Sequence, residues 1–173
     1  MEDLFSTRLE KLRDWSDSFL DFEGGEPELD GIVNFDPQGF LFPIGQTGNG
    51  SIFALWSPEK THDPKDGPVV YLDSEGSPQC MVARSLDEFL AILPCSTPWL
   101  YEAMSGRAPP ASQALEEVAE AMEEQLARKA PGKTFSAWWQ DLFGVAPAPD
   151  PMSILRAAMA QEPTFERWSE QQG

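Results

Sequence analysis

Apolar residues at three- and four-residue spacing open the chain. Phe5, Leu9, Leu12, Trp15 and Phe19 predict an amphipathic helix over residues 4–20. Gly24-Gly25 ends it, and Glu26-Pro27 prevents its resumption. The period then shortens. Ile32-Val33-Asn34-Phe35 reads as a short strand, and Asp36-Pro37-Gln38-Gly39 as a turn. Residues 40–44 and 51–56 read as two strands around the loop Gly45-Gln46-Thr47-Gly48-Asn49-Gly50. Pro58, Pro64, Gly67 and Pro68 mark residues 57–68 as a loop. Residues 69–72 and 79–83 follow as a hairpin turned by residues 73–78.

Helical spacing then returns. Ser85-Leu86-Asp87-Glu88 matches a capping box, Leu86, Phe89, Leu90 and Leu93 form the buried stripe, and Pro94 stops the helix. Arg107-Ala108-Pro109-Pro110 reads as a linker. Ser112 is placed to cap a long helix running to Lys129, and Thr134 to cap a third that carries Phe135, Trp138, Trp139, Leu142 and Phe143. After a second Pro/Ala linker at residues 145–149, Asp150-Pro151 opens a helix to Ala160, and a last one covers residues 163–169. Strands therefore concentrate between residues 30 and 84, with helices on either side. The pattern predicts an α+β fold: a domain over residues 1–105 with a central, mostly antiparallel sheet flanked by helices, and a helical C-terminal extension over residues 106–173 packed on it.

Charge narrows the range of partners. The 173-residue chain carries 29 acidic and 12 basic residues, a net charge of −17. Such a surface repels nucleic acid and anionic lipid, so the expected partner is a basic protein. Seven carboxylates lie between Asp17 and Asp36 (Asp17, Asp21, Glu23, Glu26, Glu28, Asp30, Asp36) with no Lys or Arg among them. This segment reads as a solvated face or as an electrostatic landing site. No apolar run reaches the ~18–20 residues of a membrane helix. The acidic opening Met1-Glu2-Asp3-Leu4 is unlike a secretory signal, so a cytoplasmic location with Cys80 and Cys95 as free thiols is expected.

The glycine loop at residues 45–50 raises the question of phosphate binding. Phosphate loops work because a helix starts immediately after them and turns its free N–H groups towards the anion. Here a strand follows, and the Lys-Ser/Thr ending is missing, so a hairpin turn accounts for the loop. His62, Asp63 and a cysteine could be drawn as a nucleophilic set, but nothing in the sequence places them together. His62, Cys80 and Cys95 lack zinc-site spacing. No catalytic residue, metal or cofactor is expected. The Trp138-Trp139 stripe reads as core or as a docking surface.

The order of an N-terminal helix, an acidic segment, "FLFPIGQTGNGSIFALW", "GPVVYLDSEG" and "VARSLDEFLAIL" resembles the SUKH superfamily over residues 30–93. Its members share an apolar-Pro-apolar strand, a Gly-rich turn, an aromatic strand, a Tyr- or Trp-bearing strand ending in Asp or His, and an "A-x-S-x-x-x-F-L" helix, here Ala83 to Leu90. The resemblance implies a binding protein without turnover. Many bacterial members are immunity proteins that occlude a cognate toxin, often a nuclease, and an acidic inhibitor suits a basic toxin. The residues expected to carry such binding are aromatics ringed by carboxylates on or beside the strand-end loops: Trp56, Glu59, Asp63, Asp66, Tyr71, Asp73 and Glu75. A second reading is an intracellular scaffold or regulator docking through the Trp-rich tail; an enzyme is a third.

Overall fold

The structure, a computed structural model, describes residues 3–173. It opens with helix α1 (Leu4–Arg13), capped by the Asp3 carboxylate, which accepts from the Phe5 N–H. Two short strands follow, β1 (Ser16–Asp17) and β2 (Phe22–Gly24), then β3 (Leu41–Gln46), β4 (Ile52–Trp56), β5 (Val69–Leu72) and β6 (Gln79–Ala83). All six form one antiparallel meander in chain order. Among the described residues eight α-helices complete the α+β fold, the others being α2 (Leu86–Ile92), α3 (Thr97–Met104), α4 (Ala111–Ala121), α5 (Glu123–Lys129), α6 (Phe135–Phe143), α7 (Pro151–Met159) and α8 (Phe165–Glu170).

The sheet is covered on both faces, which is why β4 and β5 read as unbroken apolar runs. Phe53, Leu55, Val69 and Tyr71 face a core shared with α1, α2, α3, α4 and α6. Ile52, Ala54, Trp56, Val70 and Leu72 face a second core closed by Phe165 and Trp168 of α8. Helix α7 lies along β6, the last strand of the sheet. It places Leu155 in the first core and Ala158 in the second, so it protects the sheet edge from pairing with another chain.

The N-terminal helix is shorter than its periodicity predicts. It stops at Arg13, and residues 16–24 form the β1–β2 hairpin instead. The Asp17 carboxylate accepts from the N–H groups of Phe19 (2.8 Å) and Leu20 (3.1 Å), a local turn that competes with helix. Trp15 reaches the core from outside the helix, edge-on to Trp139 and Phe143 at 5.4 and 5.6 Å. Gly24-Gly25 is therefore no helix stop, because Gly24 lies in β2.

Two other expectations are corrected, and one helix is new. Residues 32–35 form no strand; Ile32, Val33 and Phe35 pack, half-buried, on the second core, with Phe35 edge-on to Trp168 at 5.4 Å. The long helix over residues 112–129 is divided at Met122 into α4 and α5, and it begins at Ala111 after Pro110 with no side-chain cap from Ser112. Helix α3 was not expected; Ser96, at φ +81°, caps it by accepting from the Trp99 N–H. Ser85, Thr134, Asp150 and the α8 cap Thr164 each accept from a first-turn N–H. Glu88 closes its box one residue early, accepting from the Arg84 N–H at 2.9 Å and from the Arg84 guanidinium.

The tail is held by specific bonds as well as by burial. Trp139, fully buried, donates its indole N–H to the Leu90 carbonyl at 2.9 Å. Arg8 donates to the Phe143 and Gly144 carbonyls at 3.0 and 3.2 Å and pairs with Asp87, which ties α1, α2 and the end of α6 together. Cys80 and Cys95 are free thiols, and burial pushes both up to about 12, so neither is ionised at neutral pH. No helix among the described residues is long and apolar enough to cross a membrane.

Candidate protein-docking cleft

The hairpin order puts the β3–β4 and β5–β6 turns at one end of the sheet and the β4–β5 loop at the other. The seven sequence-selected residues are divided accordingly. Tyr71, Asp73 and Glu75 come together at the first end, in a cleft of about 330 Å³. Glu59 and Asp63 are exposed on the β4–β5 loop at the other end, with His62 between them. Asp66, on the same loop, accepts from the Leu86 N–H at 3.1 Å and so holds the start of α2. Trp56 belongs to the second core, edge-on to Phe165 and Trp168 at 5.4 Å each.

The cleft gains residues the sequence reading did not select: Asp21 from the β1–β2 hairpin, Asn49 and Thr47 from the glycine turn, and Tyr101 and Glu102 from α3. Four carboxylates (Asp21, Asp73, Glu75, Glu102) and two tyrosines thus line it, and no Lys or Arg does. Glu102 faces Arg107 at 3.7 Å, an exposed pair screened by solvent. Asp21 was legible as part of the acidic run. Tyr101 and Glu102 were not, because α3 itself was missed.

Tyr71, Asp73 and Asp21 are each fixed by hydrogen bonds. Tyr71 donates its hydroxyl to Asp73 Oδ2 at 2.9 Å, and the Glu75 N–H donates to Asp73 Oδ1 at 2.9 Å. The Ser74 N–H donates to Ser51 Oγ at 3.1 Å, joining the two turns. Asp21 sits at φ +52° and accepts from the Gly48 N–H (2.9 Å) and, through its backbone carbonyl, from Thr97 Oγ1 (2.8 Å). Among the described residues only Asp21 and Ser96 combine a side chain with positive φ, and Asp21 lines the cleft while Ser96 caps the helix beside it. Such strain persists where the surroundings over-determine it.

These bonds also answer the glycine-loop question. The Thr47 and Gly50 N–H groups donate within the turn, Ser51 N–H donates to Asn49 Oδ1, and Gly48 N–H already holds the Asp21 carboxylate. With β4 following and carboxylates around it, the loop is a hairpin turn set in an anionic surface.

The Tyr71 phenol is pushed well above its usual range, by burial first and then by its bond to Asp73 and the Asp73 charge, with Ser51 opposing. The native state therefore resists ionisation more than the unfolded chain does. Tyr71's share of stability is unaffected below its unfolded-state value of about 10 and falls as pH rises beyond it, on top of a loss from the buried Cys80 and Cys95 thiols that begins at their lower unfolded-state value of about 8.5. Urea unfolding midpoints should drop between about pH 8 and about pH 11. The drop should be smaller in Tyr71→Phe, at a cost of about 1–3 kcal/mol at neutral pH for leaving Asp73 without its donor. An equal alkaline loss in the variant would remove Tyr71 as its cause.

No family model, no curated protein and no solved structure matches the chain. Among the described residues no group of three His, Cys, Asp or Glu side chains is arranged to hold a metal ion.

Proposed function

We propose that the chain is a protein-binding module of the immunity type, which neutralises a basic toxin domain in the cytoplasm by covering its working surface. The observation that carries this reading is the cleft: four carboxylates and two tyrosines from three separate segments, with no cation in its lining, on a chain of net charge −17. Tyrosines among carboxylates make a surface that steers a basic partner and then anchors it. The resemblance of residues 30–93 to the SUKH superfamily supports the same reading. The Trp-rich tail offers little to a scaffold's partner, since Trp139 and Trp168 are buried and Trp138 is half-buried.

The test is co-expression. The C-terminal domain of the protein encoded upstream is expressed alone and then with this chain. Killing by the first and rescue by the second, through an isolable complex, is the expected result. Charge reversal at the cleft (Glu75→Lys with Glu102→Lys) should abolish rescue or weaken the complex by at least about tenfold. The same reversal at the far loop (Glu59→Lys with Asp63→Lys) should change it little. A harmless neighbour, or equal effects at the two ends, would count against the proposal.

A further inference from the structure

The acidic cleft does not end at Glu102. Pro98 and Glu102 also line a neighbouring groove of about 310 Å³, bounded by the β1–β2 turn, α3 and α4. Its floor is apolar: Trp99, Ala114 and Val118 are buried there. Trp99 is fixed by its indole N–H, which donates to the Pro109 carbonyl at 2.9 Å. Phe19 forms one wall and is 46% exposed, one of three large apolar side chains left exposed among the described residues. Its position is set by the backbone, because Asp17 holds the N–H groups of Phe19 and Leu20. An aromatic ring held in water on a fixed turn is costly to the free protein and is pre-organised for a ligand.

The rim of the groove is anionic. Glu102 and Glu117 line it, and no Lys or Arg does. A second copy of a chain carrying −17 would bring like charge to this rim, whereas a basic segment complements it. We propose that the groove receives an apolar side chain of the basic partner while an adjacent Lys or Arg of the same segment enters the acidic cleft, an inference that rests on the protein-binding reading above. The recognised element is thus an apolar residue beside a cationic one, and Phe19 and Trp99 are the groove's contribution to it.

The test uses the full chain and three blocked dipeptides: acetyl-Leu-Arg amide, acetyl-Leu-Glu amide and acetyl-Ala-Arg amide. Amide and indole N–H resonances are followed as each is added to millimolar concentration. Leu-Arg should give saturable shifts at Phe19, the Trp99 indole and Glu102. Leu-Glu and Ala-Arg should each bind at least several-fold more weakly. Phe19→Ser should lose the response, and so should Ala121→Arg, which places a long side chain on the exposed far wall of the groove. No saturable shift, equal response to Leu-Glu and Leu-Arg, or full response in both variants would overturn the inference. So would dimerisation abolished by Phe19→Ser, which would assign the groove to a second copy. Rescue of cells without peptide binding overturns the groove alone; peptide binding without rescue overturns the immunity reading alone.

Discussion

Gly24→Ala is expected to destabilise the protein by about 3 kcal/mol or more, at or beyond the upper end of ordinary overpacking. A Cβ at this position would lie 2.1 Å from the Leu12 carbonyl oxygen, 2.4 Å from that of Trp15 and 2.8 Å from that of Arg13. All three are backbone atoms, two in the last turn of α1 and one just beyond it, so no rotamer change relieves the contact. Gly24 also donates its N–H to the Trp15 carbonyl at 2.7 Å, and its neighbour Glu23 pairs with both β1 and β3. Pushing β2 away from α1 therefore weakens two strand pairings at once. Against a total stability of about 5–15 kcal/mol, such a loss is a large fraction. Urea unfolding of the purified variant measures it, and a change within about 0.5 kcal/mol would mean that α1 and β2 separate more easily than their contacts indicate.

Gly24 also shows where the sequence was silent. As part of a Gly-Gly pair after an amphipathic stretch it has the composition of a helix stop, yet it is the point where a strand passes under the helix end. Strands β1 and β2 have two and three residues, too few for an alternation to register, and they are held by β3 and α1 rather than by their own propensity. Strands β4, β5 and β6 were legible for the opposite reason. Every residue of β4 and β5 is buried, so each is an unbroken apolar run, with Gly50 and Pro58 close to the ends of one and Pro68 and Asp73 flanking the other, and β6, half-buried at Gln79 and Cys80, follows as the return strand of a hairpin. The caps at Ser85, Thr134 and Asp150 were legible because one side chain and one nearby N–H decide them.

Three of the seven residues selected in sequence meet in the candidate cleft. Tyr71, Asp73 and Glu75 stand on a recognisable strand end, and the structure brings them together. Glu59 and Asp63 have the same composition and stand on an equally recognisable loop, but an antiparallel meander sends alternate loops to opposite ends of the sheet. Asp66 and Trp56, expected among the binding residues, serve the fold, one at the start of α2 and one under α8. What completes the cleft is long-range: Asp21 meets Gly48 and Thr97, partners 27 and 76 residues away. No local pattern encodes those contacts.

Trp139→Ala is expected to cost about 3–5 kcal/mol, the range for removing a large aromatic from a packed core. Trp139 is fully buried, and its ring lies 4.7 Å from that of Phe143, 5.4 Å from that of Trp15 and 6.1 Å from that of Phe135. The truncation leaves a cavity among these rings and strips the Leu90 carbonyl of its donor. Trp139→Phe keeps most of the ring and loses the bond, so it should cost less, and the difference between the two variants measures the packing share. The outcome also decides how the tail relates to the sheet. Phe135, Trp139 and Phe143 share one core with Leu90 of α2 and with Leu100 and Ala103 of α3, the helix that carries Tyr101 and Glu102. If that core is a single cooperative unit, Trp139→Ala lowers the midpoint of one transition followed by any probe. It then loosens the cleft along with the tail, although no tail residue lines the cleft. If the tail instead unfolds first in a separate transition and the sheet keeps its midpoint, the tail is an appendage, and cleft binding should survive the substitution.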